Sequence, residues 1–368
     1  MNIDTEKAGR RNSYVIRSAA SREPQQKGTV LRAPRPVSPI RQNSSIPLQT
    51  PISNPRPAKS NPIGSVYMSL SWIAGFREKY SLLLFLIFGG ALLGFCLARS
   101  LLMDPVRMRE LTVPGEFFWF NMPLYKYNYI IHIYLTILGG IFSGLQFLPV
   151  IRRKYVLLHR LNGYFVLVTL IVGNVCGGII SRRSFGGELN QQSAYYILAL
   201  MTVIPLLIGY WNVKKNTRLH RKWMLRAVVY FSTVISARLI MLAAGQIITD
   251  IGSYYSLWRC DEILFVLKDL STLTDRFPQC IASGNILANG STYVPVHASN
   301  NEGDLGAASA VRACQGMSLW IATLLHVVGI ELYLRKTEEA NYQRHGFALE
   351  PRDYDPDKDD LYQLHYSS

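Results

Sequence analysis

The stretch NTRLHRKWMLR, residues 216–226, places four basic residues around His220 and lies between two long apolar runs. A similar stretch, RKYVLLHRLNGY at residues 153–164, repeats the order of basic residues, Leu, His and Arg and is also flanked by apolar runs. Apolar runs of about 18 residues or more are long enough to cross a hydrocarbon core of roughly 30 Å. Basic residues collect at the cytoplasmic ends of such runs. The two stretches therefore predict helix boundaries on one side of a membrane.

The composition supports a membrane protein, because the 368-residue chain is 49% hydrophobic and only 17% charged. A soluble domain of this size usually has about a quarter of its residues charged. The apolar runs predict an all-α bundle of six spans, at about 81–102, 129–150, 160–180, 194–212, 226–249 and 314–334. The predicted domains are a tail at 1–64, a membrane domain at 80–335 and a C-terminal tail at 336–368.

The net charge of +15 is concentrated in the first 64 residues and in short connections between apolar runs. This distribution is typical of membrane topology and argues against a nucleic-acid partner. It places both termini in the cytoplasm, in the plasma membrane or a membrane of the secretory pathway. The lipid bilayer, with anionic lipid at the cytoplasmic face, is the expected partner.

The N-terminal tail is rich in Pro, Ser and basic residues and poor in large apolar ones, so we predict that it is disordered. It contains three motifs typical of kinase sites, at Ser13, Ser38 and Thr50. Phosphate at these sites would weaken attraction to anionic lipid.

A long segment at about 251–312 is expected on the opposite, oxidising side. It contains the glycosylation motif at Asn289 and two cysteines, Cys260 and Cys280, that we expect to form a disulfide. Cys314 lies at the same side, so other pairings stay open.

The two histidine stretches indicate an internal duplication, in which residues 129–180 and 194–249 form parallel helix pairs. His159 and His220 would then lie at equal depth. They could ligate one haem b from both sides, with Arg160 and Arg221 near its propionates. A simpler interpretation is that each His-Arg pair binds lipid phosphate and anchors its helix. No cofactor is expected under that interpretation, and no metal beyond a haem iron is predicted.

Arg238 is a charged residue deep within the fifth predicted span. A charge near the middle of a bilayer is costly and is usually paired or faces a wet cavity. Counting helical residues places Asn174 and His326 at similar depth, so the three are predicted to form a cluster that binds a small polar or anionic ligand. A purely structural network of the same residues is the alternative.

The sequence has none of the motifs of common covalent, metal or phosphate-binding catalytic sites, so a non-enzymatic role is favoured. Small residues in LTILGGIFSG, within the second predicted span, predict close helix packing.

The paired motifs HRLNGY and HRKWMLR, with Arg238 beyond the second, resemble a family of predicted membrane proteins, domain of unknown function 2306. The resemblance covers about residues 125–250 and implies a small helical bundle without a particular activity. Three functions stay open: a multi-pass binder of a small ligand, a single-haem membrane oxidoreductase, and a structural or interaction protein.

Overall fold

The computed structural model describes residues 62–76, 80–281 and 291–338. Six helices are long and apolar enough to cross a membrane, and they are called spans one to six: Ser81–Met103, Pro123–Gln146, Val156–Ser181, Leu189–Asn212, Thr217–Ile251 and Gly303–Lys336. The predicted all-α class and the number of spans are confirmed. Span five consists of two consecutive helices, Thr217–Phe231 and Thr233–Ile251, joined at Ser232.

Short helices connect or precede the spans. They are Pro62–Ala74 before span one, Pro105–Leu111 and Glu116–Phe120 after it, and Pro149–Lys154 between spans two and three. A single 3₁₀ turn, Ser184–Gly187, joins spans three and four.

Residues between spans five and six form a small disulfide-bonded unit, which we call the cap and which includes residues 254–281 and 291–302. Two antiparallel strands, β1 at Tyr255–Arg259 and β2 at Tyr293–His297, pair within it, and they are an exception to the all-α prediction. Helices Cys260–Leu267 and Leu270–Arg276 complete it. Trp258, Ile263 and Leu273 are fully buried in a core that includes Leu305 and Ala308 of span six, so the cap is fixed to that span.

The cap contains a disulfide between Cys260 and Cys280, the pair favoured by the sequence. Cys314 is a buried free cysteine in span six. Because the cap and the two histidines lie at opposite ends of the spans, we refer to the disulfide side and the histidine side. Residues 1–61 and 339–368 of the predicted tails, which include Ser13, Ser38 and Thr50, lie outside the described residues, as does Asn289.

Glycines allow the spans to approach closely, as LTILGGIFSG predicted. A Cβ atom added to Gly139 of span two would lie 2.6 Å from Leu170 Cδ2 of span three. A Cβ added to neighbouring Gly140 would collide with Cys96 of span one. Span two therefore packs tightly on both neighbours, and a side chain at either position would force the helices apart.

Candidate functional site

The three residues of the predicted midplane cluster contact different partners. Asn174 donates a hydrogen bond to the Leu170 carbonyl of its own helix at 2.7 Å. His326 pairs through Nδ1 with the Val229 carbonyl at 2.8 Å and through Nε2 with the Ser236 hydroxyl at 2.9 Å, both on span five. Among these described contacts, none joins one member of the predicted cluster to another.

Arg238 extends from span five toward the disulfide side. Its Cζ atom lies 5.1 Å from the centre of the Phe185 ring, in the turn that joins spans three and four. Phe185 is buried and has a left-handed backbone with φ of 48°. Its side chain is therefore held inward by a strained turn, where the ring covers the guanidinium. Arg238 is also within electrostatic range of Glu116 and of Tyr195 on span four.

Glu116 brings a carboxylate to the same place from the connection between spans one and two. It starts a short helix directly after Gly115, whose φ is 90° and whose added Cβ would lie 2.7 Å from the Trp258 ring. Only 2% of Glu116 is exposed, and its two oxygens accept hydrogen bonds from the Phe185 amide at 2.9 and 2.8 Å. Burial raises the pKa of Glu116 to about 7, although nearby Arg312 and the Phe185 amide act in the opposite direction.

Glu262 of the cap and Arg312 of span six form a buried ion pair beside Glu116. Arg312 Nη2 lies 2.8 Å from Glu262 Oε2, and the two side chains are 2% and 4% exposed. The atoms are close but are not aligned for a hydrogen bond, so Arg312 Nε and Nη2 and Glu262 Oε2 have no hydrogen-bond partner. The Arg312 guanidinium stacks 3.3 Å from the Trp258 ring, and Trp119 Nε1 donates to Glu262 Oε1 at 2.5 Å.

Two further arginines lie near this pair or near Arg238. Arg183 stacks 3.8 Å from the Trp119 ring, and its buried Nε has no hydrogen-bond partner. Arg99 of span one is within electrostatic range of Arg238. Glu188, near Arg312, has a pKa raised by burial. We call the following residues the arginine cluster: Arg99, Arg183, Arg238 and Arg312 with Glu116, Glu188 and Glu262. The cluster contains four arginines and three carboxyls, so it has an excess of positive charge.

Uncharged polar side chains line the adjacent surfaces of spans four and six. Gln315 donates to the Tyr195 hydroxyl at 2.9 Å, and Gln191 donates to the Ser184 carbonyl at 2.5 Å. The Oε1 atoms of both glutamines and the Ser318 hydroxyl are buried without hydrogen-bond partners. The interior beside the cluster thus retains unused hydrogen-bonding capacity, which is uncommon in folded proteins.

A small cavity of about 150 Å³ lies next to the cluster on the disulfide side. Arg109 and Lys126 contribute positive charge to its lining, and Phe120 and Tyr129 contribute aromatic rings. Tyr129 is within electrostatic range of Glu116, Arg99 and Arg238. Tyr129 therefore both lines the cavity and lies near charged residues of the cluster.

The histidine side has a different arrangement. His159 and His220 are each the fourth residue of their helices, which begin at Val156 and Thr217. Their backbone amides bond the capping residues Tyr155 and Asn216, both at 2.9 Å. These matched starts agree with the repeat in the sequence, and the duplication itself stays a prediction.

The two imidazoles are within electrostatic range of one another and of Arg152. His220 Nδ1 lies 2.8 Å from the Gly209 carbonyl, while His159 Nδ1 is buried without a hydrogen-bond partner. Of the predicted phosphate-binding arginines, Arg160 is exposed and Arg221 is half-buried.

Sequence reasoning found Arg238 but missed Glu116, Glu262 and Arg312. A charged residue in a loop is ordinary, so Glu116 and Glu262 carried no signal until the cap was known to bury them. Arg312 could have been found, because it is a lone cation among small and apolar residues just before the sixth apolar run.

Comparisons with known proteins agree with the membrane assignment. Residues 129–260 match the family model described as predicted membrane protein (DUF2306), which confirms the resemblance found in the sequence. The match includes both histidines and Arg238 but not Glu116, Glu262 or Arg312.

The chain is also 22% identical to the Ava biosynthesis cluster protein G of Aspergillus versicolor over 311 residues, covering 71% of this chain and 89% of that protein. No solved structure matches the chain. The protein is therefore a multi-pass membrane protein in which residues 129–260 match the model of this predicted membrane protein family.

Proposed function

We propose that the protein binds a small ligand with an anionic group at the arginine cluster. The observation that carries this proposal is Arg312, which is only 2% exposed. Its Nε has no hydrogen-bond partner, and its Nη2 contacts the Glu262 carboxylate without the alignment of a hydrogen bond. Unsatisfied buried donors are costly, more so when they are charged. An oxyanion on the ligand would supply the missing acceptors and offset the positive charge.

The expected ligand class follows from the donors. A planar guanidinium pairs best with a carboxylate or phosphate, whose two oxygens match its forked N–H groups. The unused oxygens of Gln191, Gln315 and Ser318 could accept hydrogen bonds from hydroxyl groups on the same ligand.

The competing interpretation is that the cluster only anchors the cap to the spans. Arg238 separates the two interpretations, since its described contacts are the Phe185 ring and the Met241 sulfur at 4.0 Å rather than a carboxylate of the cap. Arg238→Met should thus remove a ligand contact while leaving the Glu262–Arg312 anchor in place.

The test measures thermal unfolding of purified protein in detergent with acetate, succinate, citrate or phosphate against chloride at equal ionic strength. A ligand at a hundred times its Kd should raise the unfolding temperature by roughly 5 °C. We expect at least one oxyanion to stabilise the unmodified protein and the exposed control variant Lys336→Met, but not Arg238→Met. Equal responses of all three proteins, or no response to any oxyanion, would contradict the proposal.

A second candidate is the haem hypothesis for the histidine side. It is favoured by the hydrogen-bond distance between His220 Nδ1 and the Gly209 carbonyl, which leaves Nε2 as the nitrogen that could bind iron. Haem supplied during expression should then give a Soret band that is lost in His220→Ala and kept in His326→Ala. A colourless preparation would exclude this candidate.

We also infer that the histidine side faces the cytoplasm. Support comes from the basic residues at the span ends on this side, including Arg335 and Lys336, and from the disulfide at the opposite side. Glycosidase treatment of the cell-derived protein should shift its mobility through a glycan at Asn289. The opposite orientation would be indicated if glycosidase left the mobility of the unmodified protein unchanged but shifted that of a variant with a glycosylation motif added to its C-terminal tail.

A further inference from the structure

The helix Pro62–Ala74, which precedes span one, has a composition unlike that of a solvent-exposed helix. Its sequence, PIGSVYMSLSWIA, has no charged residue. Large apolar side chains nevertheless point away from the rest of the protein, with Ile63 83% exposed, Trp72 70% and Val66 60%. A helix that is apolar around most of its circumference is normally buried. Within the part of the chain that the structure describes, nothing covers these side chains.

The helix is fixed to the histidine side of the bundle by a few contacts. The Tyr67 hydroxyl accepts a hydrogen bond from the Leu83 amide at 3.2 Å, at the start of span one. Gly75, directly after the helix, approaches the Val150 backbone so closely that an added Cβ would lie 3.2 Å from its nitrogen. Ser71 is buried on the inward face and bonds the Phe76 carbonyl. The helix thus lies beside the basic segment Pro149–Lys154.

Its length decides between crossing the membrane and lying in it. The helix has 13 residues and is about 20 Å long at a rise of 1.5 Å per residue. That length is too short for a hydrocarbon core of roughly 30 Å. In sequence, the charged residues Arg77, Glu78 and Lys79 separate it from span one, and such residues favour the level of the head groups.

The apolar surface of the helix continues onto a surface that the membrane assignment already gives to lipid. Leu83, Leu86 and Phe88 of span one are half or more exposed, at 51%, 54% and 69%. Nearby Arg152, Arg153 and Lys154 place positive charge at the level expected for phosphate groups. Lipid therefore fits both the apolar face and its charged border.

We propose that the helix Pro62–Ala74 lies within the lipid leaflet on the histidine side, at the boundary between head groups and acyl chains. It acts as an interfacial anchor that holds the N-terminal tail at this surface. The proposal is independent of the ligand and haem hypotheses, because it involves neither the arginine cluster nor the histidines.

The experiment uses the full chain reconstituted in vesicles of phosphatidylcholine and phosphatidylserine. An environment-sensitive fluorophore is attached to Leu70→Cys, which is half exposed at 50%, and in a second variant to Ile63→Cys. Lys336→Cys, at an exposed site at the histidine-side end of span six, is the matched control. The free native cysteines are buried, so unmodified protein reports their background labelling.

Emission from both helix positions should shift to the blue. It should be quenched about twofold or more by lipids with a spin label near the head group, and less by labels at the bilayer centre. Iodide in water should quench the Lys336→Cys control instead. Strong iodide quenching at both helix positions would overturn the proposal. The emission could instead be blue-shifted, insensitive to the lipid spin labels and dependent on the protein-to-lipid ratio. That result would overturn the proposal and indicate that the helix contacts a second copy of the protein.

Discussion

Charged side chains are buried on the disulfide side of the bundle and are more exposed on the histidine side. On the disulfide side, Glu116, Glu262 and Arg312 are removed from water and are brought together from three separate parts of the chain. On the histidine side, the basic residues lie at helix ends near their neighbours in sequence, and several, such as Arg160 and Lys336, are exposed. Charges near water need no distant partner, whereas buried charges do. The disulfide side should therefore be far more sensitive to single substitutions.

The largest effect is expected for Arg312→Met, which leaves the Glu262 carboxylate buried without its cation. Breaking one partner of such a pair costs about 3–5 kcal/mol, equivalent to a fall of roughly 10 °C in unfolding temperature for a protein of this size. The double variant Arg312→Met/Glu262→Gln should recover part of this loss, because no uncompensated charge remains. Thermal unfolding in detergent measures both. If Arg312→Met unfolds at the same temperature as Lys336→Met, the ion pair does not anchor the cap.

A smaller effect is expected from the protonation of Glu116. Its pKa of about 7 in the folded protein exceeds the ordinary value of 4.5, so the folded state binds the proton more tightly than the unfolded state. Its contribution to stability is therefore full below about pH 4.5 and is lost as the pH rises through 7, by about 3 kcal/mol in total. The charged groups around Glu116 that affect its pKa are Arg312 and Arg238, which lower it, and Glu262, which raises it.

The measurement compares unfolding temperatures at pH 5 and pH 8. Glu116→Gln should reduce the difference between them, while Glu110→Gln, at an exposed position in the same connection, should leave it unchanged. A pH dependence that is identical in the unmodified protein and in Glu116→Gln would contradict this assignment.

The smallest effect is expected at an ion pair of the histidine side that joins spans five and six. Arg226 and Glu331 form two hydrogen bonds of 2.6 and 2.9 Å, but their side chains are 17% and 38% exposed. Solvent screens such a pair, so Glu331→Gln should cost about 1 kcal/mol or less. Thermal unfolding of Glu331→Gln and Arg312→Met is measured in parallel at low and high salt. High salt should reduce the destabilisation caused by Glu331→Gln further. A loss equal to that of Arg312→Met would remove the contrast between the two sides.

The number of spans was predictable from the sequence because each apolar run is long enough to cross a membrane. The residues at which the spans begin and end were harder to predict. Span two was expected at about 129–150 but extends over Pro123–Gln146. Its end was misplaced because Pro149 begins a separate short helix, and its start because YKYNY is polar but helical. Span six starts at Gly303 instead of about 314, since the cap covers its first turns and these need not be apolar.

The candidate site was predictable only where one residue was unusual in its local context. Arg238 met that condition, because a charge within an apolar span is rare. Its neighbours Glu116 and Phe185 did not, since their proximity depends on a left-handed turn and on a cap closed by contacts between distant residues. Hydrophobic periodicity contains no information about such long-range contacts.

Span six connects the two sides as one uninterrupted helix. Arg312 and Glu331 lie 19 positions apart in it, which corresponds to about 28 Å along its axis. Because an α-helix is stiff along its axis, the cap and the histidine side are connected rigidly through span six. A change in the tilt of span six at Arg312 would therefore also displace Glu331 and alter its contact with Arg226.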